Sequence, residues 1–521
     1  MNNLLKSRFL LLLIGSLLFN YLFWHESHGI NILIFSLFVA ITSFSFGLKV
    51  SPLSMITLIG LLLTSSAIAY HGSLFAIFMF YVSMVLFIGY IHEQQLKSIV
   101  YLAAASITSL FRFPSIFFNS LTLIKGKSPK ITKLLKIIRL SFIPIIVLFV
   151  FYLIFINANP VFEKYANSAF DGILKVLLPF LNLISFQRLL FFALGIGINA
   201  WFLFKTDLGG LILLEALRKE ELVRKRIAKF ASRHEYFNNL KVQAPEFYRK
   251  KFAISLKLKN EFISALVLLS LVNLLLLIVN IIDIKWVWFG FKYSETFNLK
   301  QFVHEGTYLL IISILLSIGI MLYFFRRNLN FYFNTKWIKS LSYIWIGQNI
   351  ILTISVAIRN FHYITYWGLA YKRIGVILFL IAVAYGLISL LVKILRNRTS
   401  FYLIKRNSLA IYIILISASL MNWDGIIAKH NLNHPLSNHM ETSYLLSLSD
   451  KILPMIDQKQ TILDQNLKFN TYADYAPYTY RQYYQIRVGT FRRAYDRKTW
   501  LSWNYQDWKA YQYYKSKLIN K

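Results

Sequence analysis

The chain has 521 residues, 57% of them hydrophobic and only 15% charged, with mean hydropathy +0.53, no cysteine and a formal net charge of +35. A soluble chain of this length would divide into several cores and carry more charge, and the missing cysteine excludes disulfides, thiol catalysis and cysteine-based metal sites. Nucleic acid is disfavoured because no base-reading module accompanies the charge; Lys and Arg fall instead in loops between apolar runs, where they set topology and meet anionic headgroups.

Those apolar runs recur at lengths near 20 residues, which predicts transmembrane helices, and the short alternating strands of a membrane barrel are missing. The expected fold is all-α: a polytopic helical membrane protein with about eleven transmembrane helices and a small extracytoplasmic C-terminal region. Lys6 and Arg8 precede the first run, Phe9–Trp24, which no small-x-small cleavage site follows, so it reads as an uncleaved span. Three more spans, about Ile30–Leu48, Leu53–Tyr70 and Ser73–Ile91, complete an N-terminal bundle over 1–91. His71 and Gly72 form the hairpin between the last two.

Residues 92–139 form a basic cytoplasmic connector. Its apolar part, Val100–Ile124, contains Arg112 and Pro114; a charge at mid-bilayer and a helix breaker both oppose a crossing, so the segment is expected at the interface or re-entrant. The core membrane domain covers 140–422. It starts with a fifth span, about Ile138–Asn157, which ends at the Asn159–Pro160 turn. A surface helix over Phe162–Ser185 and a sixth span, Phe186–Phe204, follow. The loop 205–259 carries fourteen bases against six acids. Its centre, LEALRKEELVRKRIAKFASRHEYF, is helix-like, with Glu220 and Arg224, and Glu221 and Lys225, at i,i+4 spacing. It reads as a solvated helix or as a docking surface for anionic lipid or a partner.

Spans seven to eleven are expected at about Glu261–Ile282, Gly306–Phe325, Leu341–Ile358, Ile374–Leu395 and Ser408–Asn422. The last barely crosses a hydrocarbon core at about 1.5 Å per residue. Asn280 lies within the seventh span, and Asn273, Gln348 and Asn349 also lie within spans, where such residues serve as interhelical hydrogen-bonding groups more often than as ligands. The tail, 423–521, contains TSYLLSLSDKILPMIDQ, which reads as a short amphipathic helix. Beyond it come eleven tyrosines and Trp500, Trp503 and Trp508 mixed with Arg and Lys between Thr471 and Lys515, a composition suited to a helical domain resting on headgroups.

Eleven spans with the N-terminus in the cytoplasm place thirty-four Lys and Arg in inside segments and nine in outside loops, the tail excluded, as the positive-inside rule requires. The same topology gathers the unusual charges on the extracytoplasmic face: Asp283, His304, Glu305, Arg359, Asn360, Lys372, Arg373 and Asp424. Charges beside membrane spans are costly unless paired or hydrated, so these residues form the candidate polar or ligand cluster. Three acids against three bases allow a paired network.

The segments VHEGTY, FFRRNLNFY, IGQNIILTISVAIRN, YWGLAYKRIGV and NWDGIIAKHNL resemble the bacterial integral-membrane family called domain of unknown function 4173, over roughly 140–455, and more distantly the related family 4153. The resemblance implies a polytopic protein of a bacterial inner membrane and brings no activity with it.

His304 beside Glu305 is half a metal site or an acid–base couple at most, because neighbours on a helix do not face each other; His362, His430, His434 and His439 match no zinc spacing. Gly306 follows, which also suits Glu305 as a helix cap. GLAYKRIG lacks P-loop spacing, and no nucleophile elbow occurs. No catalytic residue, metal or cofactor is assigned. The expected partners are membrane lipids, anionic ones first, with another membrane protein as a further candidate. Two readings stand: a non-enzymatic transport-like, sensory or assembly module, or a membrane enzyme acting on a lipid-linked or anionic substrate at the outer face.

Overall fold

The computed structural model describes residues 2–124, parts of 137–165, and 186–223, 233–290, 299–325, 328–433, 442–464, 468–469 and 478–519; over 233–257 and 299–309 only the backbone is described. The described residues are mostly helical, and the strands among them form one two-residue pair, Lys468–Phe469 with Tyr478–Thr479. Among the described residues eight helices are long and apolar enough to cross a membrane, and three shorter apolar helices accompany them. More than half of the expected fifth span and most of the helix expected over 162–185 fall outside the described residues; those described within 138–157 are helical. The chain divides into two compact units.

The first unit comprises Met1–Ala216, Ser419–Asn422 and Gln482–Lys521. It contains α1 (Asn2–Phe23), α2 (Ile30–Ser45), α3 (Pro52–His71), α4 (Leu74–His92), α5 (Ile99–Ile124), α6 (Phe186–Leu203) and α7 (Gly209–Ala216). Helix α3 starts where Ser51 and Ser54 cap each other ahead of Pro52, a reciprocal arrangement that satisfies two otherwise orphaned N–H groups. Helices α1 and α6 run antiparallel: Phe9 meets Phe204 at 5.1 Å and Phe19 stacks on Phe191 at 5.2 Å. The start of α1 and the ends of α4 and α6 therefore share one end of this unit, where Thr206 donates its N–H to His92 Nδ1 at 3.0 Å.

Helix α5 continues through Pro114 without a break. Several of its described contacts belong to that same end. Leu102 packs on Gly89, Trp201 Nε1 donates to Ser109, Arg112 donates to the Asp207 carbonyl, and Phe117 meets Phe204 and Phe9 at 5.3 and 6.1 Å. Leu102 and Phe117 are roughly 22 Å apart along a helix, yet both touch residues close to helix ends.

At the opposite end of the unit sits a C-terminal helical hairpin, α16 (Tyr480–Asp496) and α17 (Tyr505–Ile519). Its turn docks on the α1–α2 loop: Ile30 N–H donates to the Trp503 carbonyl at 3.0 Å, and Ser502 Oγ donates to Glu26 at 2.5 Å. Gly29 is what lets the two backbones approach, since a Cβ there would lie 2.5 Å from the Ser502 carbonyl carbon. Tyr505 stacks on Tyr70, and Tyr484 and Tyr514 share a hydroxyl hydrogen bond across the hairpin. The Ser419 carbonyl meets His71 Nε2 at this end as well.

The second unit, Leu217–Ala418 with Trp423–Arg481, is built on α8 (Arg233–Asp283), α9 (Leu299–Phe324), α10 (Thr335–Trp367), α11 (Tyr371–Leu395) and α12 (Ser400–Ser419), followed by the short helices α13 (Trp423–Leu432), α14 (Thr442–Ser447) and α15 (Leu453–Asp457). Trp345, Leu352, Leu269, Ile314, Met321 and Leu387 fill its core. Lys393 is fully buried and donates to the Phe325 carbonyl at 2.9 Å, which puts a cation at the negative end of α9.

Several expectations change. The segment expected as the eleventh span is a twenty-residue helix starting at Ser400 rather than a short one starting at Ser408. The amphipathic helix expected over TSYLLSLSDKILPMIDQ is broken into α14, a short turn and α15, with Pro454 opening the latter. The helix expected to hold Glu220 and Glu221 is not formed there: Leu217–Val223 runs in extended or turn conformation, Glu221 bridges Arg398, and Glu220 pairs with Lys405. Arg398 in the turn between α11 and α12, and Lys405 in the second turn of α12, supply partners that outcompete the weak i,i+4 pairs.

Candidate functional site

The sequence-predicted cluster lies in the second unit, where α8 and α10 end. These two helices run parallel. Asn273 Nδ2 donates to the Leu341 carbonyl and Asn280 Nδ2 to the Gln348 carbonyl, at 3.0 and 3.1 Å. Above them α8 widens into a π-helical turn, Ile284–Phe289. Trp288 Nε1 donates to Ser355, and His362 Nε2 meets the Val287 carbonyl, so this turn is pinned to α10. At the base of the turn Arg359 Nη2 and Asp283 Oδ1 form a buried ion pair at 2.5 Å.

One residue further, Asn360 Nδ2 donates to the Arg373 carbonyl at 3.1 Å. Among the described residues Arg373 faces no carboxylate. Its guanidinium donates to the carbonyls of Trp367 and Gly368 and lies 4.1 Å from the centre of the Tyr363 ring. The last carbonyls of a helix carry partial negative charge, so α10 itself supplies the counter-charge. Gly368 leaves the helix at φ +77, and a Cβ on it would lie 2.6 Å from Asn431 Oδ1. Asn431, from α13, accepts from Leu369 N–H and donates back to the Leu369 carbonyl.

Among the described residues no cation pairs with Asp424. Tyr371 donates its hydroxyl to one carboxylate oxygen at 2.8 Å, and Ser449 donates to the other at 2.6 Å. The Tyr444 hydroxyl accepts the Tyr371 N–H, and burial pushes the Tyr444 phenol above its ordinary pKa. Lys372 is exposed. His304 and Glu305 have side chains outside the described residues, but α9 begins at Leu299, so Glu305 lies within the helix and does not cap it. The equal tally of three acids and three bases thus resolves into one described ion pair, a guanidinium on carbonyls and a carboxylate on hydroxyls.

Deeper in the unit, Asn349 donates to the Trp345 carbonyl of its own helix. The side-chain oxygens of Asn273, Asn280, Gln348 and Asn349, and Asp283 Oδ2, are buried with no hydrogen-bond partner among the described residues. Sequence reasoning missed Tyr371, Asn431, Ser449 and the buried Lys393. Tyr371 stood inside the quoted YWGLAYKRIGV, but a search for charges passes over neutral donors.

A family model described as Domain of unknown function (DUF4153) matches residues 53–459. The chain belongs to the DUF4153 family. The match contains the whole cluster from Asp283 to Ser449 and stops before the α16–α17 hairpin. It is wider than the resemblance read over 140–455, and it supports the relation to family 4153, which that reading ranked as more distant; a relation to family 4173 is not shown by it. No curated protein and no solved structure matches the chain. The protein is an integral membrane protein of uncharacterised activity.

Proposed function

We propose that this DUF4153 protein is a non-enzymatic, assembly-type membrane module whose polar groups at the Asp283 end act as a clasp on α8, α10, α11 and α13. The observation that carries this reading is that both oxygens of Asp424 already accept hydrogen bonds from Tyr371 and Ser449, next to a buried Arg359–Asp283 pair. A site built for an anionic ligand would leave its guanidinium fork open. The test is Arg359→Ala in the full chain: the clasp requires a large fall in melting temperature, whereas unchanged melting with loss of a copurifying anion would favour a ligand site.

The topology we propose has eleven crossings in a bacterial inner membrane, with the N-terminus cytoplasmic and the tail extracytoplasmic. The charge distribution supports it. So does the first unit, in which the hairpin turn, the Ser419 carbonyl and the α1–α2 loop share the end opposite the start of α1. By length and composition α5 qualifies as a crossing, but its contacts support a helix lying along the cytoplasmic surface, with the crossing made instead by residues 138–157. Because the chain has no cysteine, single-cysteine labelling is free of background. Ile107→Cys and Phe111→Cys are expected to react with a membrane-impermeant reagent from the cytoplasmic side; protection from both sides would place α5 across the bilayer.

A transport-like role has one specific observation behind it, the buried oxygens along the α8–α10 seam. Unfilled acceptors in a core are where waters or a cation are lodged. Sodium flux in proteoliposomes that falls in Asn280→Leu would favour this reading over the clasp alone.

A further inference from the structure

At the end of the first unit where α1 starts, a cavity of about 40 Å3 opens between α1, α2 and α6. One water needs only about 10–15 Å3, so the space suits a tetrahedral oxyanion. Arg8, Lys205 and Gln94 line it, together with Ser43, Phe46 and Phe202, and no carboxylate contributes to the lining. The Arg8 guanidinium is fixed 5.4 Å from the centre of the Phe46 ring, and its buried Nε has no hydrogen-bond partner among the described residues. Ser43 donates its hydroxyl proton to the Val39 carbonyl, and Gln94 Oε1 accepts from Lys49 N–H. The Gln94 amide nitrogen is left as that side chain's uncommitted end. The polar wall thus consists mainly of donors and cations.

We propose that this notch binds a phosphate-bearing anion, gripped by the Arg8 fork and the Lys205 ammonium. A guanidinium matches phosphate oxygens in pairs, and an ammonium adds a point charge. Arg8 stands within two turns of the start of α1 and Lys205 two residues past the end of α6, which is the depth of lipid headgroups. A phospholipid phosphate and a free phosphate share the chemistry. A basic residue that serves only as a topological anchor projects into water; Arg8 is instead half-buried and braced by an aromatic ring inside a cavity.

The experiment uses the full chain in neutral-lipid nanodiscs, with phosphatidylglycerol titrated and bound lipid counted by native mass spectrometry. In a second arm inorganic phosphate is measured by equilibrium dialysis. The wild type is expected to hold one phosphatidylglycerol about tenfold or more tighter than Arg8→Gln or Lys205→Gln, as loss of a charge-assisted hydrogen bond implies. Lys6→Gln, on an exposed base outside the lining, is expected to bind like wild type. Loss of phosphate binding in the same two variants, with no preference for the anionic lipid, would assign the site to a soluble phosphate. Lys205 is exposed, so Lys205→Gln keeps the test decisive if Arg8→Gln fails to fold. Variants that bind both probes as tightly as wild type would overturn the proposal.

Discussion

The Asp283 end of the second unit and the Arg8 notch of the first are both rich in polar side chains at helix ends, yet they are organised in opposite ways. At the first, cations and anions meet partners from their own chain: Asp283 takes Arg359, helix-end carbonyls take Arg373, and two hydroxyls take Asp424. At the second, a guanidinium and an ammonium line a cavity without a carboxylate. The contrast teaches that a charge beside a membrane span points to a ligand only when the chain does not already neutralise it. Charge density alone points to the Asp283 end, because the notch bases look like ordinary topology anchors.

The sharpest way to break the comparison is to remove one member of the buried ion pair. Arg359→Ala leaves the Asp283 carboxylate buried without its cation, and removal of one partner of such a pair costs about 3–5 kcal/mol. A fall of that size in unfolding free energy, measured by denaturant titration in detergent, is expected. Replacing both partners, with Arg359→Met and Asp283→Leu, should recover most of it, because an apolar pair has no charge to desolvate. If the double variant is no more stable than Arg359→Ala, the pair is not the unit that matters.

Gly368→Ala is the next largest effect. It forces a side chain into the left-handed region and towards Asn431, which ties α13 to the α10–α11 turn. Strain of this kind costs about 1–3 kcal/mol. The loss should be relieved in part by Asn431→Ala in the same chain, because that removes the atoms the new Cβ meets. Full additivity of the two substitutions would show that their contact is not the cause.

The sequence made the membrane class and most helices legible, because long apolar runs leave little choice of structure in a bilayer. It also named both members of the one buried ion pair among the described residues, Asp283 and Arg359. It did not reveal what the other charges would do. Arg373 and Asp424 look like half of a salt-bridge tally, but carbonyls and hydroxyls hold them, and neutral donors leave no mark in a charge pattern. Helix limits failed where tertiary partners overrode local spacing. Glu220 and Glu221 have well-spaced bases in sequence, yet they turn to Lys405 and Arg398, 185 and 177 positions away. Lys405 and Arg406 fall before the span expected from Ser408, yet α12 begins at Ser400 and carries both.

That partner switch sets the smallest effect in the series, and it lies between the two extremes, since the Glu220–Lys405 pair is closed within the chain but is partly open to water. Its side chains are 30% and 24% exposed. An ion pair of this kind contributes about 0.2–1 kcal/mol. The Lys405 hydrogen bond holds the Glu220 carboxyl below its usual value of 4.5. In the folded chain Glu220 therefore binds fewer protons than in the unfolded chain as the pH drops below that value, and folding loses stability there. The pair's contribution is fully present above about pH 4.5 and disappears as the pH falls through the depressed folded value. Wild type is expected to exceed Lys405→Ala in melting temperature by a small margin at pH 7. That margin should shrink on acidification, and also in high salt as screening weakens the pair. A margin that widens as the pH falls would reverse the assigned sign and show that Lys405 stabilises α12 by some means other than Glu220.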